Sequence, residues 1–257
     1  MKYHSMTERW DFEGSSPKFL YTHVIFQEGD EYFSAQLPDR FKHPKDLAVT
    51  EETCLRKIPQ DHIWPLLEEE EEEEEDKITI CPDPEGPDVY IKRPRLTGYD
   101  GSASLSSYLL REARICEILK NHAHENIACY LGCVVKNSRI TGLCFRKYAE
   151  TLADRLRDGR SVDDGCFRQI QAGINHIHAL NLAHNDIHSD NIMFADRDGD
   201  AAVIIDFDSC ALRGCPLPEK RGQMPEGVCT AEFGNDDFGL RVVLEEVKKA
   251  AGQRMNR

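Results

Sequence analysis

Apolar and polar positions divide this chain into short, separately readable segments. Residues 19–27 are rich in aromatic and β-branched side chains, Glu28-Gly29-Asp30 is a turn, and residues 32–37 repeat the pattern. A β-hairpin is predicted there. The residues before it, 1–16, are polar and read as frayed, and residues 38–62 are mixed and polar. Ile63-Trp64-Pro65-Leu66-Leu67 reads as a strand start, and residues 77–81 and 89–92 as strands around a Pro/Gly turn. Over residues 105–120, Leu105, Tyr108, Leu109, Ala113, Cys116 and Leu119 fall on one face, which predicts a helix. A short helix is predicted over 151–158. A longer one is predicted over 166–180, where Phe167, Ile170, Ile174 and Ile177 recur at helical spacing. Two short apolar strands, 192–194 and 202–205, flank the polar turn 195–200 as a second hairpin. A last helix carries Val242, Val243, Leu244 and Val247.

Composition narrows the classes. With 257 residues, 40% of them apolar, the chain can bury a core of one or two domains. The net charge is −14, but nine acids form one run, residues 68–76, and without them it would be −5. That run repels itself as a helix and reads as a solvated loop. No basic stripe suggests nucleic acid. The ten cysteines are irregularly spaced with no C-x-x-C, so they read as reduced thiols rather than zinc ligands. Met1-Lys2-Tyr3-His4-Ser5-Met6 lacks an apolar core, and no apolar run approaches about 18 residues. The expectation is a cytoplasmic or nuclear protein with no membrane segment.

Chemistry concentrates in His184-Asn185-Asp186-Ile187-His188-Ser189-Asp190-Asn191 and in Val203-Ile204-Ile205-Asp206-Phe207-Asp208. The hairpin between them lets Asp186, Asn191 and Asp206 converge. Carboxylates and an amide are hard oxygen ligands that suit magnesium. A further carboxylate beside them can orient an attacking hydroxyl, which is the equipment of phosphoryl transfer.

These two stretches resemble the H-R-D-L-x-x-x-N loop and the D-F-G motif of the protein-kinase-like superfamily. Val89-Tyr90-Ile91-Lys92-Arg93-Pro94, Tyr130-Leu131-Gly132-Cys133, Ile140-Thr141-Gly142-Leu143-Cys144 and Ile205-Asp206-Phe207-Asp208-Ser209-Cys210 further resemble a group of short fungal kinase-like proteins. The resemblance implies an α+β, two-lobed fold: a small β-rich lobe with one helix over 63–148, including the acidic loop 68–76, and a mainly helical, C-terminally truncated large lobe over 149–257. Residues 1–62 would be an extension carrying the first hairpin. It also implies ATP and Mg2+ as cofactors and a protein substrate.

Residue by residue, the resemblance makes Lys92 the strand lysine that grips the phosphates. Glu112 is its helix partner, with Glu117 a weaker candidate. The backbone around Lys147 to Ala149 would meet the adenine. Asp186 would orient the substrate hydroxyl, and Asn191 and Asp206 would hold the metal. His188 stands where serine/threonine kinases carry a phosphate-contacting lysine, and His184 would brace the loop. Met224-Pro225-Glu226 resembles the A-P-E end of the activation segment, and Asp236 the aspartate that ties down the catalytic loop. Three departures matter. No glycine-rich loop precedes Lys92, Asp208 replaces a glycine, and Asn185 replaces the arginine that binds a loop phosphate. Three functions are consistent with this pattern: an ATP-dependent serine/threonine protein kinase, a pseudokinase acting as a binding module, and a small-molecule kinase of the aminoglycoside- or choline-kinase type.

Overall fold

The aromatic and β-branched run through residues 22–26 is buried on both of its faces, and that dictates what must surround it. In a strand, alternate side chains point to opposite sides. Val24 and Phe26 pack with Ala35 and Leu37, bordered by Met6, Phe33, Phe41, Leu47 and Leu55. Ile25 packs the other way with Ile58, Ile63 and Leu96, bordered by Tyr32, Trp64, Tyr99 and Leu105. The computed structural model describes residues 1–12, 16–47, 53–67 and 77–255. The acidic run 68–76, and the loop reading attached to it, lie outside the described residues. The chain divides into two compact units: Met1–Glu68 with Arg93–Leu109 and Lys136–Thr141, and Glu69–Lys92 with Leu110–Val135 and Gly142–Arg257.

The first unit is a four-stranded antiparallel sheet in the order β1 (Lys2–Asp11), β2 (Lys18–Glu28), β3 (Glu31–Leu37), β4 (Arg56–Ile58). The predicted hairpin is β2–β3. The N-terminal residues, read as frayed, instead pair along β2 from Lys2↔Gln27 to Asp11↔Lys18. Their scattered apolar residues suffice: Met6 joins the core, and Trp10 meets Phe19 edge-on at 5.5 Å between ring centres. The strand start read at residues 63–67 is also revised. Ile63 closes a one-turn helix, α1 (Gln60–Ile63), and only Leu66 bridges to Arg139. Pro65 has no N–H to continue a ladder; its carbonyl accepts from the Ile140 amide at 2.9 Å.

The second unit holds β5 (Val89–Lys92) and most of α2 (Ser104–Asn121), β6 (Tyr130–Lys136) and β7 (Arg139–Arg146), with the sheet order β5-β7-β6. Residues 77–81, read as a strand, make only an isolated parallel bridge, Ile80↔Cys133. Pro82 follows at once, and Glu117 holds the segment from the side by accepting the Thr79 amide at 2.7 Å.

The chain then continues through β8 (Glu150–Thr151), α3 (Leu152–Arg157), α4 (Asp164–Ala179), β9 (Leu182–Ala183), β10 (Ile192–Phe194), β11 (Ala202–Ile204), β12 (Ala211–Leu212) and α5 (Phe233–Met255). Thr151 and Asp154 cap α3 reciprocally, and Asp163 caps α4 through the Cys166 amide. The apolar stripe of α4, Ile170, Ile174 and Ile177, is fully buried, as are Leu182, Phe194, Ile204 and Phe207.

One buried cation organises the turn between β10 and β11. Arg155 donates to the Glu150 carboxylate at 3.0 Å, to Asp200 at 3.2 Å, and to the carbonyls of Arg197 and Gly199 at 3.2 and 2.8 Å. Its guanidinium lies 3.4 Å from the centre of the Phe194 ring. Among the described residues no helix is long and apolar enough to cross a membrane.

Candidate active site

The loop 184–191 is shaped by what its backbone amides find. Asp236, fully buried in the first turn of α5, accepts the amides of His184 at 2.9 Å and Asn185 at 2.7 Å. His178 reaches the same carboxylate at 2.8 Å. Two amides on one carboxylate let Asn185 sit at φ 62°, a left-handed conformation that asparagine tolerates better than most residues. The Asn185 side chain donates to the carbonyls of Ala183 and Ser209 and accepts from Asn235 at 2.9 Å. His184 reaches the Ile205 carbonyl through Nε2 at 3.0 Å, while its Nδ1 accepts the Asp186 amide at 3.3 Å. That makes Nε2 the protonated nitrogen. Gly239 lets α5 run against this loop, since a Cβ there would lie 2.5 Å from the Ile187 carbonyl oxygen.

Within this frame Asp186 is nearly covered, 7% exposed. The Asn191 side-chain amide donates to its carbonyl at 3.0 Å and to Oδ2 at 3.2 Å. His188 Nε2 stands 3.5 Å from Oδ1. Burial pushes the Asp186 carboxyl up, but the hydrogen bond and charge of His188 outweigh it and hold it below the usual range. Asp186 in turn holds the His188 imidazole above its usual range, against burial.

A second cluster adjoins the end of β11. Lys92, on β5, donates to Glu112 of α2 at 2.6 Å, to Asp206, and to Asp208 at 3.3 Å. Lys220 bonds the same two aspartates, at 3.1 Å to Asp206 and closer to Asp208. Burial would strip the Lys92 proton, but Glu112, Asp206 and Asp208 together hold it well above the usual lysine range. Asp206 is likewise held well below the carboxylate range, by Lys92 and then Lys220, against burial. Burial pushes Glu112 up despite Lys92. Asp206 adopts φ 67°, a strained backbone that aims its carboxylate back at the cluster.

Several sequence-read residues thus meet: Lys92, Glu112 and Asp206 in one cluster, Asp186, His188 and Asn191 in the other. Glu117 does not join them, being engaged with Thr79. Lys147 and Ala149 bond to other backbone groups. Their amides donate to the carbonyls of Asp88 at 2.8 Å and Phe194 at 2.9 Å, so neither N–H is open to a base in this conformation. Sequence reasoning missed Asp208 and Lys220 as partners of Lys92 and Asp206. Asp208 follows a left-handed Asp206, which no alternation rule anticipates. Lys220 sits in irregular chain with no periodicity to place it. Also missed was Arg111, which donates to the Asp208 carbonyl at 2.6 Å.

The donor chemistry fits a hard divalent cation: two carboxylates, Asp206 and Asp208, face the same ammonium groups. A family model for the protein kinase domain matches residues 95–233. No match is found among curated proteins. That family match spans more than half of the sequence and takes in Glu112, the loop from His184 to Asn191 and the Asp206–Asp208 pair, and with an α+β fold carrying the Lys92–Glu112 ion pair it places the chain in the protein kinase family.

Proposed function

We propose that this chain is a phosphotransferase that moves the γ-phosphoryl group of ATP to a serine or threonine hydroxyl of a protein. The observation that carries the reading is the pair of half-buried Lys92 with buried Glu112, joined to Asp206 through the same ammonium. Glu112 fixes the Lys92 side chain, so the ammonium is already oriented for phosphate oxygens. Asp206, Asp208 and Asn191 would hold Mg2+, which would supply charge neutralisation to the phosphates. Asp186 stays ionised, which suits a group that orients a hydroxyl and takes its proton as the new O–P bond forms and the bond to the leaving ADP oxygen breaks. His188 holds that carboxylate from the outer side.

One observation favours a second reading, a nucleotide-binding module without turnover. Asp208 stands where the family has glycine, and it draws Lys92 away from phosphate duty.

Two substitutions separate the readings. Asp186→Ala should keep magnesium-dependent ATP binding and lose turnover by about 10²–10⁴-fold, the usual worth of a positioned acid–base group. Asp206→Ala should lose both. Calorimetric titration with ATP, with and without Mg2+, and a radiolabelled phosphoryl-transfer assay read the two effects. If Asp206→Ala binds Mg-ATP as tightly as wild type, the assignment of the metal ligand fails. A wild type that binds but does not turn over selects the binding module.

A further inference from the structure

Helix α2 meets the site through two adjacent residues. Glu112 accepts from Lys92 at 2.6 Å, and Arg111 donates through Nη2 to the Asp208 carbonyl at 2.6 Å. Neighbouring residues on a helix diverge by about 100°, so one turn reaches two separate elements, β5 and the turn after Asp206. The second contact bears on the carboxylates. The Phe207 carbonyl accepts the Cys210 amide at 3.0 Å, which holds the peptide before the Asp208 Cα; Arg111 holds the peptide after it. With both peptides held, the Cα–Cβ direction of Asp208 is set. Asn185 continues the series by donating to the Ser209 carbonyl at 3.1 Å. On the other side, His184 reaches the Ile205 carbonyl at 3.0 Å, in the peptide that precedes Asp206. Asp206 stands at φ 67° between these supports. A strained backbone persists only where its surroundings over-determine it.

We infer that Arg111 is a positioning residue for the carboxylate pair. It touches no reacting atom. It holds the Asp208 peptide so that Asp206 and Asp208 present their oxygens together to a divalent cation. That role rests on the phosphotransferase reading for the cation it serves. The need for it is particular to this chain: Asp208 stands where the family has glycine, so here a side chain must be aimed that a glycine lacks. Asp206 and Asp208 meet the same Lys92 ammonium, and two like charges that close repel each other. Side-chain torsion alone would let them splay, whereas a fixed backbone keeps them convergent. Arginine suits the task. Its guanidinium keeps its charge at any working pH, and a charged donor makes a short, strong hydrogen bond to a carbonyl. Through Glu112 and Arg111, α2 becomes a common support for the phosphate-facing ammonium and for the metal ligands.

Two full-length variants test this. Arg111→Met removes the donors and keeps the stem; Arg111→Lys keeps the charge and one donor. Without nucleotide or metal, hydrogen exchange of the Cys210 amide should rise in Arg111→Met and stay nearer wild type in Arg111→Lys. Binding of a non-hydrolysable ATP analogue is then titrated by calorimetry over a range of Mg2+ concentrations and in EDTA. The Mg2+ concentration for half-maximal binding should rise about 10–100-fold in Arg111→Met, the usual effect of losing a group that orients a metal ligand, with Arg111→Lys in between. Affinity in EDTA should stay the same, because Lys92 keeps Glu112. Unchanged exchange overturns the clamp on the turn. An unchanged Mg2+ requirement, or an equal loss with Mg2+ and in EDTA, overturns the positioning role and leaves Arg111 a general brace of α2. If Arg111→Met does not fold, Arg111→Lys decides by the same split. The phosphotransferase reading fails on a different result: a wild type that binds no analogue, or binds it equally with Mg2+ and in EDTA, overturns that reading and the positioning role together.

Discussion

The two units are built on opposite terms. In the unit around the N-terminal sheet, no Asp, Glu, Lys or Arg is buried among the described residues, and its buried polar groups are Thr22, His23, Ser106 and Thr141. The other unit buries Glu112, Glu117, Glu150, Arg155, Asp186 and Asp236. A buried charge costs free energy unless it is paired or hydrogen-bonded, and replacing a buried pair by apolar residues is often neutral. An apolar core is thus the simpler solution, and the first unit uses it. Where the second departs from it, each charge has a definite task. Glu117 and Asp236 hold backbone amides, Glu150 and Arg155 hold a turn, Glu112 pairs with Lys92, and Asp186 meets Asn191 and His188. The buried charges of the second unit gather around the candidate site, independently of any motif.

The largest test of that contrast is Arg155→Met. It leaves Glu150 buried with only Arg160 as counter-charge and takes a donor from the carbonyls of Gly199 and Arg197, the latter keeping Arg160 at 2.8 Å. A loss of about 3–5 kcal/mol in urea unfolding is expected; a loss under about 1 kcal/mol would show that the buried ion pair is dispensable.

A smaller effect comes from pH, with opposite signs in the two units. Burial, together with Arg9, holds the His23 imidazole below its usual value, against a hydrogen bond to the Thr97 backbone. Its contribution to stability is present in full above about pH 6.5 and is lost as pH falls through the lower folded value. His188 is the reverse. Asp186, then Asp190 and Asp206, raise it against burial, so its contribution is full below about pH 6.5 and is lost as pH rises through the raised folded value. Both tryptophans, Trp10 and Trp64, belong to the first unit. Their fluorescence should therefore report the acid-side loss, abolished by His23→Gln. Hydrogen exchange at Ile187 and Ile192 should report the alkaline-side loss, abolished by His188→Gln. Equal slopes in both units would break the comparison.

The smallest effect belongs to the first unit's surface. Lys136 and Asp30 pair at 2.6 Å with both side chains more than half exposed. Lys136→Met should cost no more than about 0.5 kcal/mol in urea unfolding.

What the sequence disclosed follows the same division. Helices with a long apolar stripe, α2 and α4, were legible nearly to the residue, because periodicity survives any neighbour. The meeting of Lys92 with Glu112 was legible because packing alone rarely produces a fixed order of polar types within short apolar strands. β1 was not, since its apolar residues are too sparse to announce a strand and its partner β2 supplies the missing information. Lys220 was not, because irregular chain can place a side chain anywhere. The engagement of the Lys147 and Ala149 amides with Asp88 and Phe194 depends on contacts that no local pattern encodes.

Between β10 and β11, Asp196-Arg197-Asp198-Gly199-Asp200 has the look of a loop that would bind a dissolved ion, yet carbonyls of that turn and the Asp200 carboxylate are gathered on the Arg155 guanidinium. Its counter-ion is therefore part of the polypeptide. Dialysis cannot remove it, a chelator cannot extract it, and dilution cannot lower its local concentration. The hairpin that presents Asn191 and Asp206 is thus braced by a cation that the chain itself supplies.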